Sequence, residues 1–161
     1  MASACTIVAR NYLAHARVLA DSFYAHHPGG DFSTLLIDDE PRRADDERES
    51  FRCLRLRDIG FTQTEIGCLA GIYDVTELAT AVKPRFLRYL LGEGRSDVIY
   101  LDPDIKIYDS LEPVPEPARQ PTIVLTPHTM APLPRDGRRL DDFNILSSGV
   151  YNLGFIAVGA K

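Results

Sequence analysis

Two apolar runs separated by a helical stripe leave the start of this sequence very few ways to fold. Cys5-Thr-Ile-Val-Ala9 is short, apolar and β-branched with no polar alternation, the pattern of a strand buried on both faces. Tyr12, Ala16, Leu19 and Phe23 then recur at helical spacing, and the stripe stops at His26-His27-Pro28-Gly29-Gly30. Phe32 to Ile37 forms the second apolar run and ends in Asp38-Asp39. Strand, helix and strand in that order predict a β-α-β unit, with the strands parallel and the crossover right-handed.

The same alternation continues along the chain. Residues 40–50 mix acidic and basic groups without periodicity and read as a solvated loop or frayed helix, followed by a short strand over Cys53 to Leu56. Thr62-Gln-Thr-Glu65 is a capping-box sequence, with Ile66, Leu69, Ala70 and Tyr73 at helical spacing behind it. Phe86, Leu87, Leu90 and Leu91 mark a further helix closed by Gly92 and Gly94. Val98 to Leu101 is the next buried strand, and Ile105 and Ile107 alternate with Lys106 and Tyr108 as in a half-exposed one. The proline-rich run from Glu112 to Pro121 reads as a surface connection, Thr122 to Thr126 as a strand, Pro127 to Asp142 as a loop, and Gly149 to Val158 as a strand interrupted by Gly154. These elements predict one α/β domain over residues 1–161, a mainly parallel sheet flanked by helices.

Charge and cysteine content narrow the function classes. A net charge of -5, with arginines scattered rather than striped, argues against nucleic acid as a partner. Cys5, Cys53 and Cys68 lack the C-x-x-C spacing of a zinc or redox centre and read as buried free thiols in a reducing compartment. No window is long and apolar enough for a membrane span, and the N-terminus carries no signal-peptide pattern, so the expectation is a cytoplasmic protein.

The chemistry concentrates in Asp102-Pro103-Asp104, directly after a buried strand, where the carboxyl edge of a parallel sheet holds its ligands. In an extended chain residues i and i+2 point to one side, so both carboxylates can face one hard cation. Pro103 fixes its own φ and biases Asp102 toward extended backbone. The alternative is a surface turn, since Asp and Pro are both turn residues.

The string Val98-Ile-Tyr-Leu-Asp-Pro-Asp-Ile105 resembles the D-x-D strand of GT-A glycosyltransferases, notably the family 8 group that includes glycogenin and the lipopolysaccharide galactosyltransferases. Other similar pieces stand in the order that family has: Ala9-Arg-Asn-Tyr-Leu13, Leu35-Leu-Ile-Asp-Asp39, Lys83, Thr126-Pro-His128, and Ser148-Gly-Val-Tyr-Asn-Leu-Gly-Phe155. The resemblance implies a Rossmann-like GT-A fold that binds a nucleotide sugar, with UDP favoured, through Mn²⁺ or Mg²⁺ held by Asp102 and Asp104. It also implies hexosyl transfer, with retention, to an acceptor it does not identify.

By the same resemblance Ala9, Asn11 and Tyr12 would touch the base, although Tyr12 reads equally well as the first core residue of its helix. Asp38 or Asp39 would accept from base or ribose, or simply form a solvated turn before Pro41. Lys83 would reach the diphosphate or donor sugar, with Arg85 and Arg88 as rivals and a solvated lysine as the plain alternative. Asn152 and Gly154 would line the donor sugar, or else mark a bulged strand. His128 can approach from its loop but reads more simply as exposed.

In the resembled enzymes a His nearer the C-terminus completes the metal site. The present chain stops at Gly159-Ala160-Lys161 after a strand, so the expectation is a truncated fold without an acceptor-binding region, weak in transfer, with an open sheet edge that favours self-association. A haloacid-dehalogenase-like phosphatase is the rival enzyme, set back by Lys106 where that family has Thr or Val and by the late position of its D-x-D. A non-catalytic module that binds a sugar nucleotide is the rival from another class.

Overall fold

The computed structural model describes residues 2–38, 44–112, 122–134, 136–137 and 141–160, with the side chains of residues 44 and 45 set aside. Asp39, and nearly all of the proline-rich run read from Glu112 to Pro121, lie outside the described residues. The opening unit forms as the sequence requires. β1 (Ser3–Val8) runs through a single 3-10 turn (Arg10–Tyr12) into α1 (Leu13–His26), and β2 (Asp31–Leu36) returns parallel to β1, with Cys5 opposite Ser33 and Ile7 opposite Leu35. A 3-10 segment (Ala44–Arg48) leads to β3 (Arg52–Arg55), then α2 (Gln63–Ile72), α3 (Val75–Gly92) and β4 (Asp97–Leu101). β5 (Ile123–Pro127), α4 (Asp142–Ser148) and β6 (Tyr151–Gly159) complete the described elements.

The six strands make one sheet in the order β3-β2-β1-β4-β6-β5. Three contacts are parallel (β1 with β2, β1 with β4, β2 with β3), whereas β6 runs antiparallel to both β4 and β5. The sheet is therefore mixed, with its parallel part at the N-terminal end of the chain. Period-two alternation divides it into two faces. Cys5 and Ile7 join Val82, Phe86 and Leu90 of α3 on one side, and Ala4 and Val8 join Ala16, Leu19 and Phe23 of α1 on the other. Helices thus cover both faces, which explains why β1 and β4 carry no polar alternation.

Local chemistry sets the helix starts. Thr62 caps α2 reciprocally with Glu65, and Asp74 caps α3 with Glu77 in the same way. The second box begins α3 well before Phe86, the first residue of the apolar stripe read from the sequence, and leaves Pro84 inside the helix. The ring of Pro84 removes one backbone donor there, so the carbonyl of Thr80 loses its i+4 helical partner. Asp141 and Asn144 form a third box that starts α4 at the very end of the stretch read from the sequence as a loop.

Four expectations need correction. Of the three cysteines Cys5 is buried, but Cys53 is half-buried and Cys68 is exposed on α2. Tyr12 is not a core residue of α1; it lies in the preceding 3-10 turn and is half exposed. Residues 44–48 are not simply solvated, because Asp46 is buried between Arg10 and Arg55 and pins this segment to the loop after β1. Among the described residues, 105–108 pair with no strand. Ile107 is buried in the apolar cluster with Leu19 and Phe23 of α1, and its backbone N–H donates to Ser22 Oγ of the same helix (3.1 Å); four residues on, the Leu111 N–H donates to His27 Nε2 (2.9 Å).

The burial of His27 gives the fold a pH dependence. His27 is buried against Phe23, and burial lowers its pKa from 6.5, outweighing the nearby Glu112, which acts to raise it. The unfolded chain therefore takes up a proton first on acidification, so His27 contributes stability that is complete above pH 6.5 and is lost as pH falls through the lowered folded value. His27→Gln can still accept from Leu111 but does not titrate. Urea unfolding of the two proteins should show the wild type losing more stability than the variant between neutral and mildly acidic pH; parallel losses would rule His27 out as the group responsible.

Candidate functional site

The site forms where three chain directions meet. β1 and β4 are parallel neighbours, so the segments after Val8 and Leu101 leave the sheet at one edge. β6 is antiparallel to β4, and its first residues reach that same edge. A cavity of about 290 Å³ opens there, lined among others by Ala9, Tyr12, Lys83, Tyr100, Asp102 and Asp104. A second, of about 440 Å³, lies against the start of β6 and includes His128, Asn152 and Gly154. Thr80, Lys83 and Asp102 line both.

The two aspartates share a cavity for a reason other than the one read from the sequence. The chain turns at Pro103 and Asp104, and the Ile105 N–H closes the turn on the Asp102 carbonyl (3.1 Å). Proline with its fixed φ suits the second position of such a turn. The turn, rather than same-side alternation of an extended strand, brings Asp104 back to the cavity. Asp104 is exposed, whereas the Asp102 side chain is 40% accessible.

Asp102 is held on several sides. Its N–H donates to the Gly154 carbonyl (2.8 Å), continuing the β4-β6 ladder by one step. Its Oδ1 accepts from the Tyr100 hydroxyl (2.7 Å) and lies 3.4 Å from Lys83 Nζ, an ion-pair distance rather than a tight hydrogen bond. Its Oδ2 packs on Gly154, where an added Cβ would sit 2.8 Å from that oxygen and 2.9 Å from Asn152 Oδ1. Gly154 has no positive φ, so glycine is required by close approach rather than by backbone conformation.

Lys83 is not a solvated lysine. It is 6% exposed, donates to the Leu153 carbonyl (3.0 Å) and stands 4.2 Å from the centre of the Tyr100 ring. Burial lowers its pKa, Asp102 opposes that shift, and the ring face supplies a further electrostatic partner. The Leu153 carbonyl is turned toward Lys83 by an irregularity in β6. Leu125 pairs with Ile156 but Thr126 pairs with Asn152, so Leu153, Gly154 and Phe155 bulge away from β5. The bulged-strand reading and the close-backbone reading of Gly154 are thus one feature.

The remaining sequence-derived residues divide. Ala9 and Tyr12 line the first cavity, and the Tyr12 ring stacks on His15 with centroids 4.9 Å apart. Asn11 and Asp38 are not among the described residues that line it; one oxygen of Asp38 accepts the Arg10 backbone N–H and so braces the loop after β1. Arg85 is engaged elsewhere, with Glu65 and over the Phe61 ring, and Arg88 opens on a separate cleft with Tyr89 and Glu93. His128 is exposed, and its Nδ1 lies 2.7 Å from the Gly149 carbonyl. Sequence reasoning missed Tyr100, Thr76 and Thr80. Tyr100 stands two residues before Asp102 in the same strand direction, and Thr76, Thr80 and Lys83 share one stripe of α3, a signal hidden while the start of that helix was misplaced.

No family model matches the sequence, and no curated protein matches it. Solved structures do. The galactosyltransferase LgtC, in complex with donor and acceptor sugar analogs, aligns with 98% of this chain and 57% of its own at a TM-score of 0.58 and 18% identity. The bifunctional glycosyltransferase WbbM in its apo form aligns with 98% of this chain and 31% of its own, TM-score 0.60 and 12% identity. The chain has a GT-A-like glycosyltransferase fold. GlyE from Streptococcus pneumoniae TIGR4, also a glycosyltransferase, aligns with 99% of this chain and 34% of its own at a TM-score of 0.50 and 14% identity. The chain therefore spans little more than half the length of LgtC and about a third of the other two. Among the described residues, no helix of this GT-A-like fold is long and apolar enough to cross a membrane.

Gly154→Ala is expected to destabilise the protein by about 1–3 kcal/mol, the usual cost of overpacking, because two short side chains and a β-ladder must shift together. Gly67→Ala in α2, where a Cβ meets nothing, should be neutral or stabilising. Comparison of the two by urea denaturation checks this, and equal effects would remove the steric argument for Gly154.

Proposed function

We propose that this stretch of chain binds a nucleoside-diphosphate sugar, UDP-linked in first preference, through a divalent cation, as the donor-binding part of a hexosyltransferase acting with retention. The observation that carries the reading is the placement of Asp102 and Asp104 at the carboxyl end of β4. They share one cavity with the loop after β1, in a fold common to solved glycosyltransferases.

The residues present fit Mn²⁺ or Mg²⁺. Carboxylate oxygens are hard donors of the type these ions take, and Asp102 and Asp104 supply them from one tight turn. Among the described residues no group of three or more His, Cys, Asp or Glu side chains gathers around a common point, so diphosphate oxygens, water or a further ligand must complete the coordination. When bound, the cation supplies Lewis-acid neutralisation of the charge that develops on the leaving diphosphate.

The other roles belong to the chain itself. Ala9 and Tyr12 face the base, the half-exposed Tyr12 ring offering a flat apolar surface already propped by His15. Lys83 sits between the two cavities with its ammonium desolvated, where an anionic oxygen gains more from a fixed cation than it does in water. Asn152 and Gly154 border the second cavity, on the sugar side of Asp102, and Asp38 holds the loop that carries Ala9. The resemblance would also put Asn11 and Asp39 on the base side, but Asn11 does not line the first cavity and Asp39 lies outside the described residues, so neither carries the reading.

Thermal-shift measurements with a panel of nucleotides test this directly. UDP should stabilise the protein with Mn²⁺ or Mg²⁺ present and not in their absence, by about 2.7 kcal/mol when ligand stands at a hundredfold excess over Kd. An equal shift without metal would remove the cation bridge from the reading. Asp102→Asn and Asp104→Asn should each weaken metal-dependent UDP binding while the ligand-free protein stays folded; unfolding of both would reassign the aspartates to structure.

A further inference from the structure

We infer that Tyr100 is a positioning residue: its buried hydroxyl commits Oδ1 of Asp102 to the protein, so that the carboxylate offers a cation Oδ2 alone. This rests on the cation reading above and extends it from which residues bind to which oxygen does.

A carboxylate oxygen has two lone-pair directions, and on Oδ1 one takes a short hydrogen bond while a buried cation stands at ion-pair distance from the same atom. The Tyr100 hydroxyl donates to it at 2.7 Å and Lys83 Nζ stands 3.4 Å from it. The shorter contact comes from the more rigid partner. Tyr100 is 1% exposed, its backbone is fixed in β4 between Cys5 of β1 and Ile156 of β6, and its ring supports the Lys83 ammonium 4.2 Å from the ring centre. Lys83 is tied in turn to the Leu153 carbonyl. Rotation of the Asp102 carboxylate toward Gly154 is opposed as well, since the backbone there already lies close to Oδ2. Oδ2 is thereby locked in one orientation before any ligand arrives, the preorganisation that a cation site gains from groups behind its ligands.

The same geometry separates the two aspartates. Among the described residues Asp104 makes no side-chain hydrogen bond, and it is exposed on the turn, so it can follow the cation, whereas Asp102 sets the cation's place.

Tyr100→Phe keeps the ring that packs under Lys83 and removes only the hydroxyl. It is to be compared with the wild type in Mn²⁺-dependent UDP binding, in the electron paramagnetic resonance spectrum of the bound Mn²⁺, and in the melting of the ligand-free chain. The expected result is an apparent affinity for Mn²⁺ with UDP weaker by about 10–100-fold, the usual effect of removing a group behind a metal ligand. A changed zero-field splitting should accompany it, as the freed carboxylate turns to engage with both oxygens, while ligand-free melting stays close to the wild type. Unchanged affinity and spectrum would overturn the inference and leave the cation reading intact, and so would weaker binding with an unchanged spectrum. A Phe variant that no longer folds would also overturn it, since the hydroxyl would then serve the fold. Absence of Mn²⁺-dependent UDP binding in the wild type would instead remove the reading beneath it.

Discussion

The pairing of β4 with two strands of opposite direction is the constraint on which this protein's site depends. A parallel neighbour sends its following loop to the same edge as β4, and an antiparallel neighbour sends its beginning there. β1 on one side and β6 on the other therefore deliver Ala9 and Asn152 to the two flanks of Asp102, although they stand far apart in sequence. An all-parallel sheet would have taken the start of β6, and with it Asn152 and Gly154, to the opposite edge.

Around that junction the electrostatics are arranged inward from the helix face. α3 carries Lys83 under the sheet edge, where burial works against its charge, and three partners of different kinds compensate: a carbonyl, a carboxylate and an aromatic face. A buried ammonium left with none of these would lose its proton or pull water into the core. The bulge in β6 is the structural answer, since it releases the Leu153 carbonyl from β5 and leaves it for Lys83. A break in one ladder thus satisfies a charge on a different element.

Much of this was legible in the residues. Buried strands announced themselves by unbroken apolar runs, Thr62 and Glu65 marked the start of α2, and the aspartates after Leu101 marked the carboxyl edge of the sheet. What escaped notice escaped for identifiable reasons. Pro84 concealed that α3 begins at Val75, because a proline reads as a helix boundary and here sits in the interior, and with it went the alignment of Thr76, Thr80 and Lys83. Asp102-Pro103-Asp104 satisfies the composition of both an extended segment and a turn, and only the Ile105 bond back to Asp102 decides between them. The direction of β6 is a non-local property that no pattern inside Tyr151–Gly159 encodes, and the partners of Lys83 follow from it.

The β4-β6 ladder also bears on the order in which the molecule can assemble. β1, α1, β2 and β3 close through contacts between segments near one another in the chain, but Asp102 meets Gly154 only across a loop of about fifty residues, which forms late because its closure entropy precedes its reward. During synthesis from the N-terminus the first half of the sheet can be in place while the carboxylate of Asp102 has Tyr100 and Lys83 beside Oδ1 and Gly154 not yet against Oδ2. Ligand affinity should therefore emerge after the bulk of the secondary structure, with the docking of the last strand as the step that confers it.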